Sequence, residues 1–443
     1  MTRVPARMRW LRLALLTGTC LACACAARPR SPSEGDDGAV TGSSGGSPPG
    51  TGRSAQARSG QPGEPPRGAE EPPAPYRDIY NPDLIPSFEL TLDAAAIAVL
   101  SNPAPETQRE WVHAKFKFGD VTLDDVGVRR KGTSTFRALP EKASLKVKFN
   151  KWVKGQKVHE LEELTLNNMV SDATFLAERI TYHVFRAMGL PAPMANTARV
   201  SINGEDYGIF ANVETPDETF LDRAFGKRAI VSLYEVNWGS TWRPLGADGF
   251  EIDIEHPSAT PANPMPDAEN LFRAVEAASD ATLLRDLDCC LHTRAGWLRH
   301  SAAEAAIGHY DGYAFGVWGS HNYFLAGDRG GKFALVPWSA DLTLSDREGV
   351  VDASVPKDST VLQRCKLSEA CWNAYRLEVA AALTTFEALD LVRLAHVWHD
   401  QIADLVAVDP KRSEGIATHE DATERLYEWL AARPGVVRTQ LGL

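Results

Sequence analysis

Positive charge is the first shortage in this 443-residue sequence: 47 Lys and Arg stand against 58 Asp and Glu, a formal net charge of -11 and a pI near 5.6. Without a global positive field there is nothing to draw in nucleic acid or anionic lipid, so no nucleic-acid partner is expected. Long apolar runs are missing too. Leu13 to Ala27 is too short and too interrupted to span a bilayer as a stable helix. Preceded by Arg3, Arg7, Arg9 and Arg12, it reads as an export signal over residues 1–27, which places the mature protein outside the cytoplasm. Cys20, Cys23 and Cys25 sit among small residues at its end, as in a lipoprotein signal, although neither Cys23 nor Cys25 has Leu three positions earlier. Secretion and lipid anchoring both stay open, and membrane contact is expected only through such an anchor, for which one acyl chain is marginal.

Metal-type cysteine spacing is also lacking in the mature region. Cys289, Cys290, Cys365 and Cys371 show no CxxC pair, which argues against zinc. In an oxidising compartment four thiols suggest disulfides, and Cys365 with Cys371 is the preferred pair. Adjacent Cys289 and Cys290 would need a strained bond or distant partners.

From Arg28 to about Pro75 large apolar residues are nearly absent, so the segment 28–75 cannot bury enough surface to fold and reads as a tether. Folding is expected over residues 76–443. Its first part, 76–225, is strand-rich: Phe88 to Leu92, Ala114 to Phe118 and Ser144 to Phe149 alternate with period two. A helix follows, capped by Asp172, with Phe175, Leu176, Ile180 and Val184 at helical spacing and Gly189 as its stop. Asn203-Gly204 between two apolar strands marks a hairpin. The expected result is a mixed sheet with one helix packed on it. The second part, 226–443, reads as mainly helical, with helices near 268–278, 297–310, 376–384 and 388–406. One hairpin, Asn322 to Ala326 and Lys332 to Val336, interrupts them. The fold class is α+β.

The order around that hairpin carries the chemistry. A helix ends at Asp311, a loop leads to Asn322, and Asp341 emerges just after the second strand. Protein kinases use the same order: one Asp orients the acceptor hydroxyl, and an Asn and a second Asp bind the Mg²⁺ that bridges the nucleotide phosphates. Hard Mg²⁺ prefers oxygen ligands and keeps several waters, so one carboxylate and one amide suffice. The same residue types also serve as caps and turn residues at strand ends. HRD, DFG, the Gly-rich GxGxxG loop and the Walker A pattern are absent, so ordinary protein kinases and P-loop enzymes are poor matches.

Arg130-Lys-Gly-Thr-Ser-Thr-Phe, Lys142 to Phe149, Leu166-Asn-Asn168, Glu178, Gly189-Leu-Pro-Ala-Pro193, Tyr207-Gly-Ile-Phe210, Asp311-Gly-Tyr313, Asn322-Tyr323 and Pro337-Trp-Ser-Ala-Asp341 follow one another in one order. Together they resemble the CotH family of secreted kinase-like proteins. The resemblance implies an atypical protein-kinase-like two-lobed fold, ATP with Mg²⁺ or Mn²⁺ as cofactors, and phosphorylation of hydroxyls on a secreted, envelope or coat protein. It gives Asp311 the catalytic role and Asn322 and Asp341 the metal. In the lysine-rich strand, Lys146 and Lys148 share one face while Leu145, Val147 and Phe149 share the other, so ammonium groups can meet phosphates while the apolar side is buried. A solvated strand face fits the same pattern. Glu178 could pair with one of these lysines, or stand as a surface charge. Arg129, Arg130 and Lys131 hold phosphate or acidic substrate, or are merely exposed.

Three departures from the family pattern matter. Ser339 stands where a carboxylate is common, Leu344 where an aromatic is common, and His321 where a second Asn is frequent. A non-catalytic surface protein acting in coat assembly is therefore the alternative. His396 and His399, one helical turn apart beside Asp400, are compatible with a metal or with packing. Trp238, Trp242, Trp297, Trp318 and Trp338 are sugar platforms or core residues.

Overall fold

Along Val112 to Phe118 the side chains of Val112, Ala114 and Phe116 are buried and those of His113, Lys115 and Lys117 exposed, as alternation requires of a strand with one apolar face. In the computed structural model this segment is one wall of a barrel. The described residues are 76–443 apart from 108, 238–241, 243–248, 293–295, 348 and 358, all within a compact unit, Gly63–Leu443. The export signal with its cysteines, the tether and Trp238 lie outside the described residues.

Seven strands form the barrel: β1 (Ser87–Thr91), β2 (Val112–Phe118), β3 (Val121–Lys131), β4 (Ser144–Lys148), β5 (Glu163–Asn167), β6 (Ala195–Ile202) and β7 (Glu205–Val213). Their order is β1-β2-β3-β4-β5-β7-β6, and the ring closes where β1 runs parallel to β6, Phe88 opposite Val200. The expected mixed sheet is thus closed into a barrel, which leaves no free edge. Phe88, Phe116, Leu145, Val147, Phe149 and Leu166 fill the interior with no solvent exposure. Truncating a side chain such as Phe116 to Ala would cost about 3–5 kcal/mol. Asn203 (φ 54°) and Gly204 (φ 84°) turn β6 into β7 through the left-handed conformations a two-residue hairpin needs.

Among the described residues the second part carries more strand than its sequence suggested. β8 (Ile230–Val236) and β9 (Phe250–Ile254) join the hairpin strands β10 (Tyr323–Asp328) and β11 (Phe333–Pro337) in a four-stranded sheet ordered β11-β10-β8-β9. The described helices are α1 (Arg77–Tyr80), α2 (Ala94–Leu100), α3 (Ala177–Ala187), α4 (Glu218–Phe225), α5 (Pro266–Ala277) and α6 (Leu283–Asp286). They continue with α7 (Trp297–Ile307), α8 (Thr360–Lys366), α9 (Glu369–Ala388), α10 (Leu391–Val408) and α11 (Ile416–Leu441). The chain is α+β, strand-rich first and mostly helical later.

Cys365 and Cys371 form the expected disulfide, tying α8 to the start of α9, and adjacent Cys289 and Cys290 bring their sulfurs to 2.7 Å. Among the described residues no helix is long and apolar enough to cross a membrane.

Candidate active site

Gly308 (φ 65°) ends α7 in the left-handed conformation, its N–H bonded to the Glu304 carbonyl, and the chain enters the loop that carries Asp311. The end of α7 is held from outside: buried Arg433 of α11 donates to the carbonyls of Ala305 (3.2 Å), Ala306 (3.4 Å) and Val351 (3.1 Å). The loop returns at Asn322, whose Nδ2 donates to the backbone carbonyl of Asp311 at 2.8 Å and to its Oδ2 at 2.9 Å. That leaves the amide oxygen of Asn322 as its acceptor end. β10 and β11 then pair, Tyr323 opposite Pro337, and Trp338 N–H bonds the Asn322 carbonyl at 3.0 Å, so the chain re-emerges beside the loop. Asp341 follows. Its carboxyl is pushed up to about 6, first by burial and then by the charge of Asp311. The structure therefore brings Asp311, Asn322 and Asp341 together.

His321 also grips Asp311. Its Nε2 lies 2.9 Å from Asp311 Oδ1 and its Nδ1 2.8 Å from the Gly319 carbonyl. Burial alone would lower the imidazole, but the bond to Asp311 and the charge there outweigh it, so His321 is raised. Both ring nitrogens face acceptors, which suits the doubly protonated ring.

Glu178, the second residue of α3, is buried. The helix start is fixed by Asp172, whose Oδ2 accepts from Ala177 N–H at 2.8 Å. Both Glu178 oxygens accept from Asn167 Nδ2, at 2.8 and 2.9 Å, and Asn167 Oδ1 accepts from Lys131 Nζ at 2.7 Å. Burial, then the charge of Asp341, pushes the Glu178 carboxyl up to about 8, and burial lowers Lys131. The ammonium stands 5.4 Å over the Trp338 ring.

Lys131 at the end of β3, rather than Lys146 or Lys148, is thus the lysine nearest Glu178. Lys146 and Lys148 occupy the outer barrel face as the alternation requires, and both turn to Glu163, at 3.0 and 3.8 Å. Lys146 still contributes to the field on Lys131. Lys148 is the more exposed of the two. The consecutive triplet splits: Arg129 lies over Trp111, Arg130 is a buried ligand of Asn102 O and Thr107 Oγ1, and only Lys131 reaches the acidic cluster. Lys131 was expected only as one of three basic residues that hold phosphate or are exposed, and His321 only as a departure from the family pattern; the structure puts both in the site.

Asp341 also stands in the wall of a cavity of about 840 Å³ between residues 170–174, residues 343–347 and α11, with Asp172, Arg347, Arg425 and Trp429 around it. Elsewhere His396 stacks on Tyr427 and His399 faces His419 (Nε2 to Nε2, 3.2 Å), which joins α10 to α11. Trp242, Trp297 and Trp338 are buried, and Trp318 is partly exposed.

A family model described as CotH kinase protein matches residues 128–437, a span that includes Lys131, Lys146, Lys148, Glu178, Asp311, Asn322 and Asp341. Inner spore coat protein H of Bacillus subtilis (strain 168) is 21% identical over 303 residues, covering 63% of this chain and 79% of that protein. Inner spore coat protein H-like protein of the same organism is 32% identical over 80 residues, 18% of this chain and 24% of that protein.

Proposed function

The chain belongs to the CotH family, and on that premise we propose that it is a two-lobed, kinase-like phosphotransferase carrying the γ-phosphate of ATP to Ser or Thr hydroxyls of a secreted, envelope or coat protein. The observation that carries this reading is that Asn322 closes the loop after α7 onto Asp311 while Asp341, just past the hairpin of β10 and β11, lies within the field of Asp311. Asp311 orients the acceptor hydroxyl and takes its proton. The Asn322 amide oxygen and the Asp341 carboxylate hold Mg²⁺ or Mn²⁺, and their hard-oxygen chemistry fits such an ion. So does the raised Asp341 carboxyl, since a cation would relieve its repulsion with Asp311. When bound, the metal neutralises charge on the phosphates. Lys131, linked through Asn167 to Glu178, would meet the phosphates of a bound nucleotide, and Lys146 adds to the positive field there. An extracytoplasmic or coat location is supported by the export signal read in the sequence and by the name of the relative.

The test is transfer of labelled γ-phosphate to the purified chain and a generic acceptor with Mg²⁺ or Mn²⁺, wild type against Asp341→Ala. Label incorporated by the wild type and lost in the variant supports the reading. A second reading, a non-catalytic coat or surface scaffold, is favoured by Ser339, which replaces a carboxylate and donates to Asp341 Oδ1 at 3.3 Å. It predicts no transfer and no rise in melting temperature with Mg-ATP.

A further inference from the structure

Beneath the Asp311 loop lies a carboxylate that phosphoryl transfer does not itself require. Glu304, on α7, has no solvent exposure, and neither do His300 and His309 beside it. Its Oε1 accepts from Tyr313 N–H at 2.8 Å and its Oε2 from Ala314 N–H at 2.6 Å. His300 Nε2 and His309 Nδ1 each stand 3.3 Å from Oε1. Burial would raise the carboxyl, but the two imidazoles outweigh it and hold Glu304 at about 2, so it is ionised.

The sequence of the loop follows from this neighbour. A β-carbon on Gly312 would run into Glu304 Oε1 and His309 Nδ1, so Asp311 and Tyr313 must be joined by glycine. Gly316 is packed against the carbonyls of Gly312 and Gly319 in the same way. Val317 N–H returns to the Tyr310 carbonyl at 2.8 Å, and Lys357 N–H bonds Ala314 O at 3.0 Å. A loop with little regular structure is thus fastened at its root by one ionised side chain.

We infer that Glu304 is a positioning residue, whose carboxylate clamps the amides of Tyr313 and Ala314 and so fixes the backbone that aims Asp311 and receives Asn322. The catalytic consequence rests on the kinase reading above, whereas the clamp itself does not. A carboxylate accepts from two amides through two oxygens. A glutamine has one oxygen and would turn an NH₂ group towards the second amide, leaving that donor unpaired.

The experiment compares the full chain with Glu304→Gln by site-resolved amide hydrogen exchange and by steady-state phosphate transfer. Exchange at Tyr313 and Ala314 should speed up about tenfold or more while α9 keeps its protection. The kcat for transfer should fall roughly 10- to 100-fold with the KM for Mg-ATP unchanged. Gly312→Ala presses on the same carboxylate from the loop side and should give the same signature, so the idea stays testable if Glu304→Gln does not fold. Unchanged exchange at the two amides overturns the clamp. Faster exchange with unaltered kcat overturns the positioning role. A wild type that transfers no phosphate overturns the kinase reading instead, and the exchange comparison still decides the clamp.

Discussion

Asn322 and Asp311, eleven residues apart, are joined twice: one amide nitrogen reaches the backbone carbonyl of Asp311 at 2.8 Å and its carboxylate at 2.9 Å. Asn322 is itself in the left-handed region (φ 58°), which asparagine tolerates better than most residues. The pair therefore closes the loop, aims the Asp311 carboxylate and leaves the amide oxygen as the acceptor end of Asn322.

Asn322→Asp tests that relationship. The substitution removes the donor and sets a second negative charge against Asp311, so phosphate transfer should fall by roughly 10²- to 10⁴-fold, the range attributed to a positioned acid or base. Steady-state rates at saturating Mg-ATP measure it. A variant with wild-type kcat would mean that the pair closes the loop without serving Asp311.

The lysines give a second test. Lys131 is linked through Asn167 to Glu178, whereas Lys148 meets Glu163 at 3.8 Å and is substantially exposed. Lys131→Met should abolish the thermal stabilisation conferred by Mg-ATP, and Lys148→Met should leave most of it. Differential scanning fluorimetry over a nucleotide titration separates them, because the shift follows RT ln(1 + [L]/Kd). Equal losses would return Lys148 to the phosphate site.

Much of this was legible from residue patterns, and the gaps have physical causes. Short-range periodicity located β1, β2, β4, β6, β7, the hairpin of β10 and β11, and α3. Closure of the barrel was not legible, because it depends on β1 meeting β6 more than a hundred residues later. β8, Ile230-Val-Ser-Leu-Tyr-Glu-Val236, does not alternate with period two, since Ser232, Leu233 and Tyr234 are all buried, so its pattern did not announce a strand. α11 was hidden by Pro434-Gly435, which reads as a breaker yet sits inside a 26-residue helix packed on its neighbours. In the site, aspartates and asparagine were found by their order along the chain. Lys131 was not singled out because two arginines precede it, and only the barrel interior decides that Arg130 turns away.

Titration of Glu178 makes a prediction with a definite sign. Its folded value of about 8 lies above the ordinary 4.5, so the native state favours the protonated form. The associated stability is full below the unfolded value and is lost as pH rises through the folded one. Glu178→Gln removes that loss. Measured as the melting-temperature difference between variant and wild type, the comparison should move in favour of the variant from pH 5 to pH 9, while other titrating groups cancel. A difference independent of pH would mean that Glu178 is ionised throughout, held so by Lys131.

A buried ion pair sets the last expectation. Lys142 Nζ and Asp409 Oδ2 meet at 2.6 Å with almost no solvent access, 267 residues apart. Asp409 also accepts from Ile209 N–H at 3.0 Å and Lys411 N–H at 2.7 Å, so its charge is well satisfied. The ammonium lies 5.4 and 5.3 Å from the rings of Phe175 and Phe210. Because the pair links the segment before β4 to the segment after α10, it fastens the barrel to the helices. Removing one partner strands the other charge in an apolar site, so Lys142→Met should lower unfolding free energy by about 3–5 kcal/mol. Lys142→Met with Asp409→Asn should recover part of that loss, since no unpaired charge remains. Urea denaturation of the single and double variants measures both. A double variant no better than Lys142→Met would show that the lysine contributes by packing on the two phenylalanines rather than by its charge.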